Sequence, residues 1–287
     1  MKTIILLALA LQLSPVALAQ TVLTSASSAA PQIADVRSGE LHLKGYFWKP
    51  AGSGPFPAIL FHHGSGADNP QRTAGRTMAE AASDLAPVFL KHGYAFLYLC
   101  RRGQGLSADQ GPFTQDLLKQ AEAKSSDARK QLHYQLITGS QLDDALAGLT
   151  FLKAAPEIDP KRIAIVGHSF GGMLTLLSGD HDNTIRAEVA FAAGANFWHA
   201  SQELRDRTFA AVGKTTAPIM LLYAANDFDT TPGKDISAEL DRLHKSHLLK
   251  IYPAIGKISD DGHNLLYLGI PEWEPDVLQF LDDNLKH

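Results

Sequence analysis

From residue 57 onward the chain alternates between two kinds of segment. Short, mostly apolar runs lie at 58–62, 95–100, 163–166, 187–191, 219–224 and 248–252. Runs of this length without a polar face suit β-strands buried on both sides, as in a parallel sheet. Between them, apolar residues recur near helical spacing. Leu142, Leu146, Leu149 and Leu152 mark one helix, closed by Pro156. Ile236, Leu240 and Leu243 mark a second, and Val277, Leu278 and Leu281 a third, with Pro275 near its start. Earlier, 33–36 and 41–48 alternate as antiparallel strands at a sheet edge would. With right-handed crossovers, this order predicts an α/β domain on a mostly parallel, doubly wound sheet. Reactive groups are expected at the carboxyl ends of its strands.

Two regions fall outside that rhythm. Residues 112–139 are polar and rich in Lys, Gln and Asp, which predicts a helical excursion, either solvated or capping the site. At the N-terminus, Lys2 precedes the apolar run 4–13, and Ala17, Leu18 and Ala19 stand before Gln20. This pattern predicts a signal peptide over 1–19, a flexible leader over 20–32 and one domain over 33–287. Export to the periplasm or the medium follows as an expectation, with no stable membrane anchor after cleavage.

Composition narrows the function classes. The 287 residues are 45% hydrophobic and 20% charged, enough for one domain with a large core. Cleavage would take lysine plus arginine from 26 to 25 against 30 acids, a formal charge of −5. So mild an acidity supplies no basic footprint for nucleic acid. The single cysteine, Cys100, ends an apolar strand and is expected to be buried and inert.

Chemistry is concentrated in Gly167-His168-Ser169-Phe170-Gly171. A strand over 162–166 must turn sharply here into a helix over 170–177, leaving Ser169 exposed at a strained apex. The two glycines permit the tight contact, and the Phe170 N–H lies at the positive end of the new helix. A serine hydroxyl needs a base to act as a nucleophile, and the base needs a group to orient it.

Asp227 follows the buried run 217–225 and fits the acid; Asp229 is the alternative, better suited to turn formation or capping. His263 lies between the last strand and the C-terminal helix and fits the base. A second oxyanion donor should follow the first central strand, in Phe61-His-His-Gly-Ser-Gly66, and the N–H of Ser65 is the candidate. His62 and His63 are strand neighbours facing opposite ways, so no metal is expected. Phe197 and Trp198 are candidates to line a substrate pocket. Arg102 is a candidate for a substrate carboxylate, or an ion-pair donor between loops.

These segments together resemble the α/β-hydrolase superfamily, closest to its dienelactone hydrolase-like branch, from about residue 41 to 285. The resemblance rests on His63-Gly64-Ser65-Gly66, Arg102-Gly103-Gln104-Gly105, the serine elbow, Asn226-Asp227 and Gly262-His263. Typical dienelactone hydrolases carry cysteine at the elbow, whereas this chain has Ser169. The resemblance implies cofactor-free hydrolysis of a small-molecule carboxylic ester. A peptidase or amidase would use the same groups, and a non-catalytic binding protein could share the fold.

Overall fold

A computed structural model describes residues 30–66 and 69–286. The expected signal peptide and the leader as far as residue 29 lie outside the described residues. The chain enters through an antiparallel pair, β1 (Gln32–Ser38) and β2 (Leu41–Trp48). Burial alternates along β1, with Ala34, Val36 and Ser38 inside, as the alternating sequence predicts for an edge. The strand begins at Gln32, one residue before the expected domain boundary.

β3 (Phe56–His62) is followed by a small ladder of β4 (Arg72–Thr73) and β5 (Arg76–Thr77), then α1 (Met78–Leu90) and β6 (Ala95–Leu99). Next come α2 (Thr114–Glu122), α3 (Ser126–Thr138) and α4 (Ser140–Ala154). The strand β7 (Ile158–His168) leads into α5 (Phe170–Ser178), and β8 (Ala187–Phe191) into α6 (Gln202–Lys214). The remainder is β9 (Ile219–Ala224), α7 (Thr231–Arg242), β10 (His247–Tyr252), two short helices α8 (Ser259–His263) and α9 (Leu265–Leu268), and α10 (Ile270–Leu285).

The main sheet runs β1-β2-β6-β3-β7-β8-β9-β10 and is parallel from β6 to β10. Both faces of its centre are covered, which is why the central strands read as mostly apolar runs. β10, expected to be buried likewise, is the edge strand and exposes Leu248 and Ile251. Ile59 and Phe61 of β3 pack with α1 and α10 through Leu85, Phe89, Val277 and Leu281. Ala58 and Leu60 point to the opposite layer, where α4 supplies Leu149 and Leu152. Farther along that layer, Ala190 and Leu221 meet α5, α6 and α7. The chain leaves β3 toward β6 and returns to β7 on β3's other side, so the loops after β3 and β7 diverge. Such a switch point opens a crevice at the strands' carboxyl ends.

Two local expectations are corrected. The strand before Ser169 runs on through Gly167 and His168, because both residues still pair with β8. The last helix begins at Ile270, and Pro275 lies within it; Pro271 is the proline of its first turn. Helix α1 escaped the periodicity reading because its buried face includes Ala81, Ala82 and Ala86. Its start was nonetheless written in the sequence as a capping box, in which Thr77 and Glu80 bond each other's backbone N–H.

Candidate active site

Ser169 occupies the turn between β7 and α5 with φ 55° and ψ −116°, a region that strains a non-glycine residue by about 1–3 kcal/mol. Its surroundings hold it there. The Ser169 N–H donates to Phe191 O at 2.8 Å. A Cβ on Gly167 would stand 2.2 Å from Gly171 O, and one on Gly171 would stand 2.0 Å from His62 O. Neither contact can exist, so both flanking positions require glycine.

The structure brings the three residues expected to act together into one hydrogen-bonded chain. Ser169 Oγ lies 2.9 Å from His263 Nε2, and His263 Nδ1 lies 2.8 Å from Asp227 Oδ1. A carboxylate only accepts, so the imidazole proton is on Nδ1 and Nε2 is free to accept from the serine hydroxyl. The Asp227 side chain is wholly buried, and its Oδ1 also accepts the Phe228 N–H at 2.7 Å. Asp229 does other work: its Oδ1 caps the Thr231 N–H, and its Oδ2 faces His199.

Two further residues hold this hydrogen-bonded chain in place. Asn226 donates from Nδ2 to the carbonyls of Ile255 and Ile258 and accepts the Ile255 N–H, tying the acid's loop to the segment before α8. His168 stands beside Ser169. Its Nε2 donates to the backbone carbonyl of His263 at 2.8 Å, with the two rings 5.2 Å apart. Burial, followed by the neighbouring His263, pushes His168 down to about 3, so it is neutral in ordinary buffers.

The loop after β3 is gripped from behind. Arg101 is buried and donates to His63 O at 2.8 Å and Gly64 O at 3.1 Å, while its Nε bonds Gln141. The Arg101 N–H donates to His63 Nε2, so the His63 proton is on Nδ1 and goes to Gly64 O. Gln104 donates to Ser65 O at 2.7 Å. In a trans peptide the C=O and the following N–H point opposite ways. Two donors on Gly64 O therefore turn the Ser65 N–H away from Arg101. The Phe170 N–H is the first of α5 and has no partner within the helix.

A model of the dienelactone hydrolase family matches residues 43–257. The chain belongs to the dienelactone hydrolase family. It is 26% identical over 161 residues to the quorum-quenching protein AidA of Acinetobacter baumannii, covering 56% of this chain and 43% of that protein. The match thus spans less than half of that relative. Among solved structures, the acylaminoacyl peptidase of Pyrococcus horikoshii aligns with TM-score 0.64 and 18% identity over 91% of this chain and 42% of that one. A dienelactone hydrolase of Anabaena variabilis aligns with TM-score 0.59 and 19% identity, over 90% of this chain and 98% of that one. At these identities the likeness is one of fold, that of the α/β hydrolases.

In this dienelactone hydrolase family member, Ser169 stands where two cavities meet. A wide cleft of about 610 Å³ is lined by His263, Asn264, Phe228 and Asp260, with Gln115, Glu122, Ser126, Arg129 and Lys130 from the excursion. A narrow one of about 40 Å³ is lined by His133, Ile137, Phe170, Met173 and Leu204. Ser65, Asn196 and Phe197 border both. Helices α2 and α3 thus form one wall of the site, and Gln115 Nε2 joins α2 to Ser65 Oγ at 2.7 Å.

Two candidate pocket residues are displaced from the site. Arg102 is held by Asp144, whose side chain is fully buried, through Nε at 2.9 Å and Nη2 at 2.6 Å. Its charge is thereby occupied, and a substrate carboxylate would have to displace a buried partner. Trp198 is 1% exposed and donates its indole N–H to Asp235, packing edge-on against Phe209. Phe197 remains on the cavity walls. Cys100 is buried, and burial pushes its thiol up to about 12, so it holds no thiolate at neutral pH. Among the described residues, no group of three or more His, Cys, Asp or Glu side chains could hold a metal ion.

Proposed function

We propose that this chain hydrolyses carboxylic esters through an acyl-enzyme on Ser169. The observation that carries the reading is the Ser169–His263–Asp227 chain, 2.9 and 2.8 Å, at a strained strand-to-helix turn. Ser169 Oγ attacks the ester carbonyl carbon as His263 Nε2 takes its proton. Negative charge on the carbonyl oxygen is met by the N–H groups of Phe170 and Ser65. Asp227 keeps the proton on Nδ1 and stabilises the imidazolium. The C–O bond to the alcohol then breaks, and His263 returns the proton to the leaving oxygen. Water, deprotonated by His263, attacks the acyl-enzyme by the same route and releases the acid and Ser169.

A peptidase would use the same groups, and the fold is shared with the acylaminoacyl peptidase above. The reading is tested on the mature chain from Gln20 with matched p-nitrophenyl esters and an aminoacyl p-nitroanilide, using wild type and Ser169→Ala. Ester turnover abolished by the substitution is expected. Anilide turnover equal to the ester rate identifies a peptidase. Failure of a fluorophosphonate to label Ser169, with no turnover, identifies a binding protein. Export belongs to the same proposal, on the strength of the apolar run 4–13 and the Ala17-Leu18-Ala19 site. N-terminal sequencing of the processed protein checks it.

A further inference from the structure

The two cavities at Ser169 are unequal in size and chemistry, and the groups around the serine decide which part of an ester enters each. The leaving oxygen must receive its proton from His263, and His263 lines the wide cleft but not the narrow cavity. The alcohol therefore departs into the wide cleft. Ser169 lines both cavities, so the narrow one is left for the other substituent of the carbonyl carbon. The acyl chain on the far side of the carbonyl carbon then enters the narrow cavity.

Size follows from volume. The narrow cavity, about 40 Å³ against about 610 Å³ for the cleft, is the smaller by more than tenfold. Its walls are apolar, from Ile137, Phe170, Met173 and Leu204. Phe197 divides it from the cleft and is braced on one face by the His133 ring, 3.8 Å between centroids and 16° from parallel. The Arg129 guanidinium carbon lies 5.3 Å from the Phe197 ring centre. The half-buried Phe197 is thus braced by ring stacking, and the wall behind it by the buried Ile137, Met173 and Leu204.

The wide cleft has a different lining. Glu122 and Asp260 face it along with Arg129 and Lys130, and Gln115, Asn196 and Asn264 add amides. Acids and cations are equal in number, and Arg129 is paired to Glu122 at 3.1 Å. Such a surface offers donors and acceptors to a neutral polar ligand and no net field to an ion. Its 610 Å³ is the size of a whole small-molecule site, typically about 300–1,000 Å³.

Resting on the esterase reading, we propose that the substrate is a short-chain acyl ester of a large, neutral, hydroxyl-bearing alcohol. Two comparisons test the two halves. Along p-nitrophenyl acetate, butanoate, hexanoate and octanoate, kcat/KM is expected to fall at least about tenfold between butanoate and hexanoate. Leu204→Ala and Ile137→Ala, two buried wall positions on different helices, should each raise the ratio of octanoate to acetate kcat/KM, moving the limit to longer chains. A profile that rises to octanoate, or folded variants that leave the limit unmoved, overturns the acyl half.

For the alcohol half, methyl 6-O-acetylglucopyranoside is compared with hexyl acetate, both acetates of primary alcohols. The glucoside is expected to be cleaved with at least about tenfold higher kcat/KM, and preference for hexyl acetate overturns this half. Fluorophosphonate labelling of Ser169 separates the failures. A labelled enzyme that prefers long chains loses only the substrate proposal. An unlabelled protein inert on every ester loses the esterase reading and the substrate proposal together.

Discussion

The guanidinium of Arg101 donates to the carbonyl oxygen of Gly64, and the same peptide unit carries the N–H of Ser65. A buried cation thus orients a backbone donor from the rear without entering the cavity. Among the described residues no carboxylate pairs with Arg101; burial lowers it to about 10, partly offset by Asp144, so it stays charged at neutral pH. Arg101→Met should lower kcat by about 10- to 100-fold, less than outright loss of an oxyanion donor, with KM little changed. Arg101→Lys should recover part of the loss by restoring one donor. A variant of wild-type kcat, shown folded by its melting curve, would remove this positioning role.

Asp227 and Asp229 are separated by one residue and differ in every contact. Asp227→Asn should reduce kcat by about three to four orders of magnitude, because the amide favours the wrong imidazole tautomer. Asp229→Asn should leave kcat within about threefold, since Asp229 caps a turn and faces His199 at the surface. Steady-state kinetics on the two variants gives the comparison directly, and equal losses would contradict the assignment.

His168 acts on the base through its main chain. Replacing it by Phe removes the donor to His263 O and should lower kcat about tenfold through misalignment of the imidazole. Asn, which keeps an N–H, should recover part of it. Because His168 is held near 3 by burial and by His263, it stays neutral above about pH 4. The acid limb of the pH–rate profile above pH 5 should therefore be the same in wild type and His168→Asn.

Glu188, on β8, is fully buried and bonded by Thr215 Oγ1 at 2.6 Å, and burial pushes its carboxyl up to about 8. The folded state then holds this proton more tightly than the unfolded chain, whose glutamate titrates near 4.3. Between those values the native state binds more protons, so this residue's contribution falls as pH rises. The melting temperature of Glu188→Gln relative to wild type should increase from pH 5 to pH 8. A constant difference across that window would contradict it.

The sheet was legible because burial on both faces removes polar residues from the strand, as at 58–62 and 219–224. The elbow was legible because two steric demands, at Gly167 and Gly171, write themselves as glycine. Arg102 and Trp198 were not, because their partners, Asp144 and Asp235, are 42 and 37 residues away and no local pattern couples them. The two arginines at the end of β6 illustrate the difficulty. Arg101 turns to the loop of His63 and Gly64, and its neighbour Arg102 to Asp144. Which of an adjacent pair reaches the site depends on the backbone after the strand ends, where alternation ceases to be a guide.

The pair α2–α3 is inserted between β6 and α4, while the groups that move protons stand on loops after β7, β9 and β10. One wall of the cleft and the Ser169–His263–Asp227 chain therefore come from separate stretches of the sequence. Substitution within 114–138 alters that wall and leaves the three hydrogen-bonded residues themselves untouched.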